Sequence, residues 1–162
     1  IRKGNNVLTI NAGQLMHRDL SSVSEEDHVL DAVHLLYSQR LSGVPVVRDD
    51  WVLQGYLSER DILRRATPTF LEVLAQSTFL DDSEGDLFER LKQIGDMKVK
   101  DVMNPDPIFV KPTESLMTVV DLMLRKGLKR LPVVEGRKLV GVIERGGFCE
   151  FMMEGKEFNE AR

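Results

Sequence analysis

A chain of 162 residues with 42% hydrophobic content is long enough for one domain, or for two small units that share a core. Its 22 basic and 26 acidic side chains leave a net charge of −4, which argues against general binding to a nucleic-acid phosphate backbone and for a soluble protein. The sequence contains no apolar run of the roughly 18 residues that span a bilayer, and no signal peptide opens it. The single cysteine, Cys149, excludes an internal disulfide framework and fits a reducing, cytoplasmic compartment. A start at Ile1 rather than methionine leaves open a longer protein with a membrane or catalytic part elsewhere.

In chain order, residues 1–11 read as a leader, with Val7-Leu8-Thr9-Ile10 able to form a short edge strand. Gly13-Gln14-Leu15-Met16 is a short helical turn. Val23 sits in a brief strand, and Ser24-Glu25-Glu26-Asp27 has the composition of a helix start. Val29, Leu30, Val33, Leu36 and Tyr37 recur at helical spacing and predict a helix through Arg40 that Gly43 ends. Two β-rich runs follow, Val44-Pro45-Val46-Val47 and Trp51-Val52-Leu53, separated by Arg48-Asp49-Asp50: a strand, a tight turn and a strand that continues through Gly55-Tyr56-Leu57. Ser58-Glu59-Arg60-Asp61 then opens a helix to about Ala66. Thr67-Pro68 starts a further helix carrying Phe70, Leu71, Val73 and Leu74. Asp81 to Asp86 is a polar loop, and Leu87 to Ile94 is helical up to Gly95.

A second series begins at Val99-Lys100-Asp101-Val102-Met103, a helical turn broken by Asn104-Pro105-Asp106-Pro107. Ile108-Phe109-Val110 is a strand. Pro112-Thr113-Glu114-Ser115 starts a helix that buries Leu116, Val119, Val120, Met123 and Leu124 and ends at Gly127. Two strands around Leu131-Pro132-Val133-Val134 and Lys138 to Ile143 precede a last helix from about Gly147 to Met153.

The two series are copies. Pro45 and Pro132 lie 87 positions apart, Gly55 and Gly141 lie 86 apart, and Met16 and Met103 lie 87 apart. Matched anchors at one spacing indicate duplication, with each repeat too small to cover its own sheet. The repeats run over residues 12–66 and 99–154, with 67–98 a helical insertion lacking a counterpart and 155–162 a tail. Each reads as β-α-β-β-α, an α+β fold packed as a pseudo-two-fold pair.

Other chemistry finds no support. Neither a Gly-x-x-x-x-Gly-Lys-Ser/Thr phosphate loop nor a Gly-x-Gly-x-x-Gly fingerprint is present, which argues against nucleotide hydrolysis and dinucleotide redox chemistry. His17, His28 and His34 lack metal-ligand spacing, and the acidic run at Asp81–Asp86 lacks calcium-loop spacing. Cys149 is expected to be a buried, inert thiol. Met117, Met123 and Met152 are expected to fill core.

The strand-helix pattern, the Gly-x-Pro-Val-Val strand, the Gly-bearing second strand and the Ser/Thr-x-x-Asp corner together resemble the cystathionine-beta-synthase (CBS) domain. Two copies in tandem resemble a Bateman module, over roughly three quarters of the chain. The resemblance implies a non-enzymatic, regulatory homodimer that needs no cofactor or metal. It implies an adenosine ligand, AMP, ADP, ATP or S-adenosylmethionine, held in a cleft between the repeats and controlling a partner protein or an attached domain. The alternatives are a ligand-free dimerisation or interaction module, and the regulatory fragment of a larger enzyme or transporter.

The residues that match the family's nucleotide site are Leu57, Ser58, Arg60, Asp61, Ile108, Val110, Lys129, Arg130, Leu131 and Pro132. A carboxylate fixed at a strand-to-helix corner suits the two adjacent hydroxyls of ribose, which the resemblance assigns to Asp61, with Ser58 beside it. Helix capping explains the same two residues without a ligand. Lys129 and Arg130 match the family's phosphate contacts, and they equally complement the C-terminal dipole of the preceding helix. Ile108, Val110, Leu131, Pro132 and Leu57 suit the walls of a base slot, or simply the core. The second corner departs from the pattern: Glu144 and Gly147 stand where Ser58 and Asp61 stand, so a single competent nucleotide cleft is expected.

Overall fold

The computed structural model describes residues 10–18, 20–67 and 83–154. In chain order these form α1 (Ala12–Leu15), β1 (Val23–Ser24), α2 (Val29–Gln39), β2 (Gly43–Val47), β3 (Leu53–Ser58), α3 (Glu59–Ala66), α4 (Ser83–Gly95), α5 (Val99–Val102), α6 (Leu116–Lys126), β4 (Arg130–Glu135), β5 (Lys138–Glu144) and α7 (Arg145–Glu154). Mixed helix and strand in two repeats gives the α+β class. The edge strand expected at Val7–Ile10 and the helix after Pro68 fall almost wholly outside the described residues.

Two compact units emerge, Ser21–Pro107 in one and Ile1–Leu20 with Ile108–Arg162 in the other. In Ser21–Pro107, β1 pairs parallel with β2, and β2 pairs antiparallel with β3. Val29, Ala32 and Leu36 from α2, Val44 and Val46 from β2, and Leu57, Ile62, Ile94, Val99 and Val102 fill its core. In the other unit β4 and β5 form the antiparallel pair, and Val110 joins β4 only as a single parallel bridge to Val133. The strand expected over Ile108–Val110 thus contracts to one residue, and Phe109 is exposed. Ala12, Val110, Val119, Met123, Leu131, Val133 and Ile143 make this core.

The leading turn of each repeat packs into the unit built mainly from the other repeat. Ala12 N–H donates to the Glu114 carbonyl (2.9 Å) and Gly13 N–H to that of Pro112 (2.8 Å). The same bonds recur 87 positions on, Val99 N–H to Asp27 (2.8 Å) and Lys100 N–H to Glu25 (3.1 Å). His17 exchanges two backbone hydrogen bonds with Val142 (2.8 and 3.0 Å), as Asn104 does with Tyr56 (2.8 and 3.0 Å). Sequence order and spatial grouping therefore differ by one exchanged segment per repeat.

Several local expectations are corrected. Arg40, not Gly43, ends α2: it takes the left-handed conformation (φ 54°), and its N–H reaches the Leu36 and Tyr37 carbonyls. Gly127, 87 positions later, does the same at φ 61° for α6. Trp51 lies in the hairpin turn at φ 65° rather than in a strand. Helix α4 begins at Ser83, so Asp86 is helical and not part of a loop, and α7 starts two residues before Gly147. Leu30 and Tyr37 on α2 face outward, as does Leu124 on α6; Ala32 takes the buried place on α2, because a helix of this length presents only a narrow inward stripe. Met123 is core, but Met117 is 76% exposed and Met152 is also at the surface. Cys149 is exposed, since α7 buries none of its residues.

Candidate nucleotide-binding site

The corner that follows β3 is built by local chemistry. Ser58 is the N-cap of α3, with extended backbone (φ −121°, ψ 159°). Its Oγ accepts from Asp61 N–H (3.2 Å), while Asp61 Oδ2 accepts from Ser58 N–H (3.0 Å) and from the Ser58 hydroxyl (2.7 Å). This reciprocal box satisfies the first orphan donors of the helix and fixes the Asp61 side chain in one rotamer. The capping explanation of these residues therefore holds. It also leaves a pre-aimed acceptor, because Asp61 Oδ1 has no partner among the described residues. Glu59 and Arg60 are exposed on the first turn, and Leu57 is fully buried beneath the corner in the core of its unit.

Beside the corner, Gly43 pairs with Ser58 across the ladder. A Cβ at Gly43 would come within 2.5 Å of the Tyr56 ring and 3.0 Å of the Leu57 carbonyl oxygen, so only glycine lets the ring lie there. Pro45 follows it in β2, opposite Tyr56.

The other half of the expected set lies in the other unit. Ile108 is half-buried, Val110, Leu131 and Pro132 are buried, and Lys129 is exposed. Val110 and Leu131 belong to that unit's core, the bland reading of both residues. Arg130 is only 9% exposed, and its Nη2 lies 3.6 Å from Glu144 Oε1, directly opposite across β4 and β5. Sequence reasoning read Arg130 and Glu144 separately and missed this pair; the 87-residue offset that equates Arg130 with Gly43 was the available signal. The structure brings Leu57, Ser58, Arg60 and Asp61 together in one unit, and Ile108, Val110 and Lys129–Pro132 together in the other.

The second corner lacks the box. Arg145 and Gly146 open α7, and a Cβ at Gly147 would lie 3.2 Å from His17 Nε2. A carboxylate at Gly147 would compete with that imidazole for space, and none is present.

Sequence reasoning also missed Met103 and Asn104 as neighbours of the first corner. A Cβ on Gly55 would come within 2.6 Å of the Met103 sulfur and 2.7 Å of the Asn104 carbonyl oxygen. Met16 sits on Gly141 in the same manner, 2.5 Å from the equivalent point. The repeated Gly and Met anchors are thus two halves of one contact, made twice.

Among the described residues, no His, Cys, Asp and Glu cluster could hold a metal ion, and no helix is long and apolar enough to cross a membrane.

Comparison with known proteins gives a consistent answer. The sequence profile of the CBS domain matches residues 12–67 and again 99–154. An uncharacterised protein of Methanocaldococcus jannaschii is 30% identical over 91% of the chain and 97% of its own length. The chloroplastic CBS domain-containing protein CBSX2 of Arabidopsis thaliana is 30% identical over 88% of the chain, which spans 63% of that relative. The crystal structure of CBSX2 in complex with AMP superposes with a TM-score of 0.69 at 26% identity, covering 91% of this chain and 99% of that one.

Proposed function

The chain belongs to the CBS-domain family as a tandem pair, a Bateman module, and on that premise we propose that it is a regulatory module that senses an adenosine nucleotide or derivative. The observation that carries this reading is the Ser58–Asp61 box, which holds one carboxylate oxygen by two hydrogen bonds and leaves the other for a ligand. A relative of the same fold crystallised with AMP supports adenosine as the ligand class. Asp61 takes the ribose hydroxyls, with Ser58 and Arg60 beside it; the half-buried Ile108 offers apolar surface for the base, while Leu57, Val110, Leu131 and Pro132 are buried. Lys129 is the phosphate cation, because Arg130 is already engaged with Glu144. Binding shifts the equilibrium of whatever the module regulates by its differential affinity for two arrangements. The same reading has the module in the cytoplasm, without catalytic activity and as a homodimer, which sedimentation velocity measures.

Titration calorimetry with AMP, ADP, ATP and S-adenosylmethionine tests it. At least one should bind, and Asp61→Ala should weaken that binding by roughly tenfold or more, the effect of losing a charged hydrogen bond. Binding by none of the four sinks the sensor and leaves a ligand-free interaction module. Unchanged affinity in Asp61→Ala sinks the ribose assignment alone.

A further inference from the structure

We propose that the exchanged segment Val99–Asn104 positions the Ser58–Asp61 corner, so that the state of the corner is coupled to the link at residues 105–107 through which the chain passes into its other unit. The proposal rests on the reading of that corner as the ligand site.

The contact is direct and short-ranged. The Met103 sulfur lies against the bare Cα of Gly55, and Asn104 exchanges both backbone hydrogen bonds with Tyr56. Ser58 stands two residues beyond Tyr56 on the same strand, and its own N–H and hydroxyl orient Asp61. A displacement of Asn104 therefore reaches the carboxylate through one strand and two hydrogen bonds. Asn104 is also braced on the far side, since its Oδ1 accepts from Asp106 N–H (3.0 Å) inside the link. Val99 N–H to Asp27 and the Lys98 ammonium to the Glu26 carbonyl (2.9 Å) anchor the start of the segment. With its start held and its end tied to both corner and link, the segment passes a displacement of the link to the corner through Met103–Asn104. Met103 is a positioning residue in this scheme and touches no ligand.

The test uses the full chain. Met103→Ala removes the group seated on Gly55, Met103→Leu restores its volume, and Met16→Ala makes the same deletion at Gly141 in the other unit. Amide hydrogen exchange is read at residues 56–61 without nucleotide, and AMP affinity is read by calorimetry. Met103→Ala is expected to speed exchange at Ser58 and Asp61 selectively and to weaken AMP binding roughly 3- to 30-fold. Met103→Leu should return both toward wild type, and Met16→Ala should change neither. Met103→Val replaces Met103→Ala should the latter fail to fold. Exchange at 56–61 unchanged in the folded Met103 variant, or perturbed equally by Met16→Ala, overturns the coupling. A wild-type chain that binds no AMP counts against the proposed ligand, while the exchange data still decide the coupling.

Discussion

Gly55→Ala isolates the exchanged segment's hold on β3. Gly55 faces Val46 in the ladder and carries no left-handed φ, so its backbone accepts alanine and only space opposes it. The new methyl would meet the Met103 sulfur at 2.6 Å and the Asn104 carbonyl oxygen at 2.7 Å, closer than van der Waals contact permits. The sulfur is able to swing away. The oxygen is not, because it accepts the Tyr56 N–H at 3.0 Å and any retreat stretches that bond. Overpacking of this kind costs about 1–3 kcal/mol, and the reduced freedom of alanine in the unfolded chain returns about 0.5–1 kcal/mol. A net loss of about 1 kcal/mol, and at most about 2.5 kcal/mol, follows, which lowers the melting temperature of a chain this size by about 2–4 °C per kcal/mol. At Gly141 the three nearest atoms all belong to the Met16 side chain, but they include its Cβ at 2.8 Å, which is held by the backbone, so Gly141→Ala should cost a similar amount. Urea unfolding at unchanged m-value, with a thermal scan beside it, measures both variants. Gly55→Ala as stable as wild type refutes the packing argument.

Arg40 and Gly127 occupy equivalent left-handed helix ends, so Arg40→Gly should raise the urea midpoint while Gly127→Arg lowers it, each by about 1 kcal/mol. The exposed Lys100 ammonium lies 2.6 Å from Glu26, and the hydrogen bond together with the charge lowers the Glu26 pKa and raises that of Lys100. Glu26 thus contributes stability above its unfolded pKa that disappears as pH falls through its lowered folded value; Lys100 contributes below its unfolded pKa and loses this as pH rises through its raised one. Carboxyl NMR titration should show the Glu26 midpoint moving up in Lys100→Met, and no movement removes the pair from the account.

Much of this fold was legible because duplication prints the same pattern twice. Pro45 and Pro132, each inside a β-branched run, located both hairpins, and Ser58 ahead of acidic residues located the first strand-to-helix corner. Hydrophobic periodicity was less reliable at the surface. Tyr37 and Leu124 obey the helical period of their helices and still lie outside, 87% and 71% exposed, because the period marks a broad face while the sheet covers only its centre. Arg40 was missed as a helix stop since its left-handed φ goes with the backbone closure that sends Leu41 N–H to the Leu36 carbonyl (2.8 Å), not with an intrinsic preference of arginine. The exchange of Met16 and Met103 was invisible for a different reason. Two copies of one contact look the same in sequence whether each is made within a repeat or across repeats. At the site, Ser58 and Asp61 were readable from local capping rules, whereas the Arg130–Glu144 pair needed the register of β4 on β5.

That pair decides how many nucleotides one chain should hold. In the first corner the ladder positions are Gly43 and Ser58, small groups that leave the carboxylate of Asp61 its second oxygen. At the matching ladder positions of the second, a buried guanidinium faces a carboxylate, each neutralising the other's charge. Prising Arg130 from Glu144 to serve a phosphate would leave the Glu144 carboxylate beside that anion, and like charges so placed repel. Gly147 offers no acid to ribose in return, and the His17 imidazole already lies where a side chain there would grow. The duplication therefore supplied two frames, and the carboxylate proposed to take the ribose stands in only one of them. Calorimetric stoichiometry should be one adenosine ligand per chain, insensitive to Gly147→Ala, with the affinity of that one site falling roughly tenfold or more on loss of the Asp61 carboxylate; two equivalent sites per chain would refute this division.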